Sequence, residues 1–121
     1  SKYANDAENR LVFLRNSMAN HEVYIAKYYL KRGAFIASSE RAKYMLEIYP
    51  GAPASEDALI VLIDSYNKLG STNLAIETAK VLTANFSNYT YTVDKDNLVV
   101  IEDNSIDAIV EESSFFDFGL F

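Results

Sequence analysis

The sequence predicts an all-α fold: a two-repeat helical array with an extended first helix, followed by an acidic tail whose structure its pattern leaves open. Three observations carry this. Tyr29, Gly33, Ser38 and Ala42 recur as Tyr66, Gly70, Ala75 and Ala79, each 37 residues on. Within Ala26–Pro50, two helical stretches meet at Gly33 and stop at Pro50, with small residues at Ala26, Ala37, Ser38 and Ala42 where two helices would touch. Charge then divides the chain. Residues 1–87 hold ten Lys/Arg against nine Asp/Glu, whereas residues 88–121 hold one Lys against eight Asp/Glu. A helical unit repeated at fixed spacing cannot bury its apolar face alone and does so by stacking on its neighbours.

Composition narrows the function. The 121 residues are 50% hydrophobic, enough for the core of one small domain. With no cysteine, neither a disulfide nor a thiolate metal site can form. A near-neutral body joined to an acidic end argues against a nucleic-acid partner, which needs cations to neutralise phosphate. No apolar run approaches the ~20 residues of a membrane span. The chain opens at Ser1 without a signal peptide or lipidated cysteine, and reads as a fragment whose targeting signal and any anchor lie elsewhere.

The first helix is expected from about Tyr3 to Lys31, roughly 40 Å at ~1.5 Å per residue. Leu11, Leu14, Met18, His21, Ile25 and Tyr28 alternate at spacings of three and four, which predicts one inward face. His21 on that stripe reads as a packed, hydrogen-bonded residue at the core edge. Lys31 and Arg32 suit the negative end of the helix, and Gly33 permits a left-handed cap. The second helix should span Phe35–Ile48, with Phe35, Ser38, Ala42, Met45, Leu46 and Tyr49 inward and Arg41 outward. Ser55 is the predicted N-cap of a third helix, Glu56–Leu69, with Leu59, Leu62, Ile63 and Tyr66 in the core. Gly70 ends it. The fourth helix, Asn73–Asn85, buries Ala75, Ile76, Ala79 and Leu82. The repeats thus cover about 19–50 and 56–87, within a helical domain at 1–87.

The region 88–121 reads as an acidic, aromatic-ended tail. Tyr89, Tyr91 and Val93 alternate as in a strand, Asp94–Asn97 is turn-like and Leu98–Ile101 is β-prone, so a hairpin fits the pattern. Ser105 could cap a short helix, Ile106–Glu112. Phe115, Phe116, Phe118 and Phe121 end the chain. They read either as a solvated tail or as a docking peptide that enters a groove. There is no Gly-rich phosphate loop, catalytic triad or motif-placed carboxylate pair, so the sequence points to an interaction scaffold without cofactor or metal rather than an enzyme.

The slots occupied by Ala26, Tyr29, Gly33, Ala42 and Pro50, and by Tyr66, Gly70, Ala75 and Ala79, resemble the tetratricopeptide signature. Ser38, Met45 and Leu82 replace its usual Ala, and Ser87 its Pro. A more specific resemblance lies in Asp6-Ala7, Arg10–Arg15, Glu22, Ala26–Tyr29, Lys31–Phe35, Arg41, Tyr49-Pro50, Asp57–Leu59 and Ser65–Gly70. Together these are similar to the C-terminal half of the BamD (ComL) family, outer-membrane-assembly lipoproteins of Gram-negative bacteria. The resemblance covers about residues 1–87 and leaves the tail uncovered. It implies repeats four and five of five, and a scaffold on the periplasmic face of the outer membrane. That scaffold would hold the periplasmic (POTRA) domain of BamA beside other assembly lipoproteins, and reach the membrane only through an anchor outside this stretch. It also implies a docking role for Arg41, with Glu40 standing where the family has Asn and with Lys31 and Arg32 as weaker contacts. The last aromatics loosely resemble the terminal signal of β-barrel proteins. A general tetratricopeptide adaptor is the alternative. Its carboxylate-clamp form is disfavoured, since Val23 and Ile60 stand where the clamp Lys would.

Overall fold

The computed structural model describes residues 1–106. Four helices come first: α1 (Lys2–Lys31), α2 (Phe35–Ile48), α3 (Ser55–Leu69) and α4 (Thr72–Asn85). Two strands follow, β1 (Tyr89–Val93) and β2 (Val99–Asp103), and then a 3₁₀ turn at Asn104–Ile106. The expected helix beyond Ile106 and the aromatic group Phe115, Phe116, Phe118 and Phe121 lie outside the described residues.

The 37-residue repeat extends to individual hydrogen bonds. Gly33 and Gly70 take φ of +78° and +74°, the left-handed region that glycine adopts without a Cβ penalty. Past each glycine the chain folds back, and the Ala34 and Ser71 N–H groups donate to the Tyr29 and Tyr66 carbonyls, both at 2.9 Å. These are the six-to-one bonds of a Schellman ending. They explain why glycine recurs in this slot; the carbonyls of Tyr29 and Tyr66 are backbone groups and do not themselves call for tyrosine. The second helices end alike: Tyr49 and Phe86 N–H groups donate to Met45 and Leu82 carbonyls, both at 2.8 Å.

Packing follows the small residues. Ala26, Ala42, Ala75 and Ala79 have no exposed surface, as small side chains let helices pack closely. One core cluster joins α1, α2 and α3 through Ala19, Val23, Ala42, Met45, Val61 and Leu62. A second joins α3, α4 and the hairpin through Leu59, Ile63, Ala75, Leu82, Tyr89 and Val99. Helix α3 is central and serves both. A buried pair, Ser38 Oγ to Ser65 Oγ at 2.6 Å, ties α2 to α3.

Two expectations are corrected. The inward line of α1 is Ala19, Val23 and Ala26, whereas Leu11, Leu14 and Met18 are more than half exposed. His21 and Tyr28 are exposed too. Close packing selects the alanine face, and the larger side chains on the neighbouring line stay outside. Ser55 is not the cap of α3. The helix starts on it, Ala54 holds the cap position, and Ser55 Oγ is buried without a hydrogen-bond partner among the described residues. Ser105, expected to cap a helix at Ile106–Glu112, has its Oγ and N–H both donating to Asp103 Oδ1, at 2.6 and 3.1 Å; that helix lies outside the described residues.

The hairpin stands where a third unit would begin. Tyr89 N–H donates to Phe86 O at 3.1 Å, as Ala52 N–H does to Tyr49 O at 3.2 Å, 37 residues earlier. After that bond the chain extends instead of coiling. Tyr89 pairs with Asp103 and Val93 with Val99 in an antiparallel ladder. The turn is held by Asp94, whose carboxylate accepts from the N–H groups of Asp96 and Leu98, while Asn97 takes φ of +63°. Besides the second core cluster, two α3 side chains hold the hairpin. Asn67 donates to Val99 O at 2.9 Å and accepts from Val99 N–H at 3.0 Å, and the Tyr89 hydroxyl donates to the Glu56 carboxylate.

Candidate partner-docking surface

Arg41 lies on α2 one residue before the buried Ala42. That position places it at the margin of the α1–α2 seam rather than squarely outward. Its side chain is 38% exposed, and Nη1 donates to Glu22 Oε2 of α1 at 3.0 Å. Glu22 retains 15% of its side-chain exposure. A guanidinium has five N–H donors in a rigid fork, so an ion pair with one carboxylate leaves others to offer. The groove beside it, about 470 Å³, is lined by Tyr29, Ala37, Glu40, Arg41 and Tyr44. Glu40 is exposed at its rim.

The structure thus brings Arg41 and Glu40 together with two tyrosines. Lys31 and Arg32 fall elsewhere, at the end of α1. Lys31 is exposed in the last turn. Arg32 lies 5.4 Å from the Tyr28 ring centroid, with Nη1 donating to the Tyr28 hydroxyl at 3.0 Å. Its cation therefore rests on its own helix. Pro50 ends the first repeat, and its carbonyl accepts from Arg15 Nη2 at 2.6 Å.

Sequence reasoning missed Glu22 as the partner of Arg41. The signal was present: Ala19, Glu22, Val23 and Ala26 form one helical line, and a carboxylate among residues so small and apolar asks for a cation. Asn67 was missed as well. Nothing near it in sequence announces that its amide will be used 32 residues later by Val99.

No helix in the described residues is long and apolar enough to cross a membrane. The family model of the outer membrane lipoprotein YfiO matches residues 1–96. The match runs past the expected limit near residue 87 and takes in β1. The chain is similar to the outer membrane protein assembly factor BamD of Haemophilus influenzae, 36% identical over 97 residues, 80% of this chain and 37% of that protein. The factor of the same name from Neisseria meningitidis serogroup A is 42% identical over 86 residues, 71% of this chain and 32% of that protein. That of Xylella fastidiosa strain Temecula1 is 40% identical over 85 residues, 70% and 29% of the two chains. The chain thus spans about a third of the length of these relatives. With the family match covering all four helices of the array, the chain belongs to the YfiO family of outer membrane lipoproteins.

Proposed function

We propose that this chain is a non-catalytic scaffold of outer membrane protein assembly, acting at the periplasmic face of the outer membrane and docking the periplasmic domain of a BamA-type partner through the Arg41 groove. The observation that carries the role is the similarity, over 97 and 86 residues, to proteins named outer membrane protein assembly factor BamD. The groove supports the docking mode. Glu22 orients the guanidinium, the tyrosines offer flat apolar surface, and a carboxylate on the partner would complete the fork. Tyrosine and arginine side by side are also the types enriched where interfaces concentrate their energy.

The test is titration of the whole chain with a soluble BamA periplasmic segment, read by calorimetry. Arg41→Glu should weaken binding by about 2 kcal/mol, roughly thirtyfold, as expected when a buried interface charge is reversed. Glu22→Gln should weaken it less, by loosening the guanidinium without removing it. Unchanged affinity in Arg41→Glu would remove this residue as an anchor, and no binding by the unaltered chain would remove the partner.

A further inference from the structure

A cleft of about 600 Å³ separates α3 from β2, away from Arg41. Its two ends are pinned. At one end Asn67 exchanges two hydrogen bonds with the backbone of Val99, and at the other the Tyr89 hydroxyl, beside Asp103 in the ladder, bonds Glu56. Between these pins, α3 contributes Ile60 and Asp64, while β2 contributes Ile101 and Asp103.

The parity of the ladder decides which way the β2 backbone points. Asp94 N–H donates to Leu98 O, and Asn104 N–H donates to Asn88 O. Alternate residues of an antiparallel pair bond inward. Val100 and Glu102 therefore bond to β1, whereas Val99 and Ile101 direct N–H and C=O away from it. Asn67 answers Val99 with the two bonds that a facing strand residue would make. Two residues on, about 7 Å along the strand, Ile101 presents the same pair of groups, and no described side chain answers them.

We propose that this cleft receives a short extended polypeptide segment that pairs with Ile101 on the free edge of β2, and that the segment carries apolar and cationic residues in alternation. An exposed strand edge is a template for main-chain pairing. Charge names the occupant: Asp64, Asp94 and Asp103 line the cleft against the single cation Lys68. Asp64 is exposed to the cleft, yet partial desolvation by the surrounding chain pushes its carboxyl above its usual range, with Lys68 one turn away pulling it back, and a lysine or arginine from the segment would relieve that carboxylate. Ile60, Leu98 and Ile101 supply the apolar floor for the intervening side chain. A volume of this size falls within the ~300–1,000 Å³ typical of sites that enclose small ligands.

The probe is a capped pentapeptide alternating valine and lysine, added to the ¹⁵N-labelled whole chain. Saturable shifts should map to Ile101, Asp103 and the Asp64–Asn67 turn of α3. The same peptide N-methylated on its central amide, and the version with glutamate for lysine, should each bind at least tenfold more weakly. Asp64→Lys, an exposed change with fold checked by circular dichroism, should weaken the parent peptide at least fivefold. The N-methylated peptide leaves the protein unaltered, so its result does not depend on how any variant folds. The proposal is overturned by an absence of saturable shifts, by shifts confined to α1 and α2, or by equal binding of the N-methylated or glutamate peptide.

Discussion

The two ends of the array solve the same problem differently. At the α1 end, Leu11, Val12, Phe13, Leu14 and Met18 are all more than half exposed, and only three of the 30 helix residues are buried. At the α4 end a hairpin covers the helices, and Tyr89 and Val99 keep only 8% and 5% of their surface exposed. Stacked repeats must cover the apolar face of the last unit. Here a hairpin does so within a few residues of the point where a fifth helix would begin. An isolated hairpin is marginal. This one persists because Asn67 and Glu56 of α3 hold its backbone and its tyrosine.

The difference can be broken by mutation. The largest effect is expected from Leu82→Ala, which empties a fully buried site beneath the hairpin and should cost about 3 kcal/mol in urea unfolding. Leu14→Ala, the same substitution on the open face of α1, should change stability by under ~0.5 kcal/mol. Equal losses would show that exposure does not distinguish the two ends.

Asn67→Ala removes both bonds to Val99 and leaves that backbone unanswered, for a loss of about 2 kcal/mol. Hydrogen exchange should then quicken at Val100 and Glu102 while α1 and α2 keep their protection. Exchange that quickened uniformly would mean that the hairpin and array open as one unit.

Tyr89→Phe should cost about 1.5 kcal/mol at neutral pH by removing the bond to Glu56. It also tests the sign of a pH effect. Burial first, and then the Glu56 carboxylate, raise the Tyr89 hydroxyl above its ordinary value near 10. The folded chain therefore holds this proton more tightly than the unfolded chain. The contribution is complete below pH ~10 and shrinks as pH climbs above it. The unaltered protein should lose stability more steeply than the phenylalanine variant between pH 9 and 11, and parallel curves would contradict the assignment.

A smaller loss tests the sameness of the repeats. Gly33→Ala and Gly70→Ala should each cost about 1 kcal/mol, since both glycines are left-handed and a Cβ at either meets open space. A gap of more than ~1 kcal/mol between them would mean that the two caps are not equivalent.

What local pattern could reach, the sequence disclosed. Two glycines in one slot required left-handed endings, alanines at helical spacing required close helix contact, and alternation from Tyr89 to Val93 required extended chain. These are properties of a residue and its near neighbours, so a linear reading finds them. Arg41 was legible as an outward charge on α2, whereas its place at the seam and the carboxylate it meets were not.

Tertiary structure decided the rest. On α1 the apolar residues occupy more than one line, and periodicity alone cannot say which turns inward. The closeness of α2 and α3 selected Ala19, Val23 and Ala26, because large side chains would hold the helices apart. Packing of the elements also made the pairings Glu22–Arg41, Asn67–Val99 and Glu56–Tyr89, separated by 19, 32 and 33 residues. Each joins groups that no local periodicity relates. They become partners only when packing brings one helix, or the hairpin, against another helix.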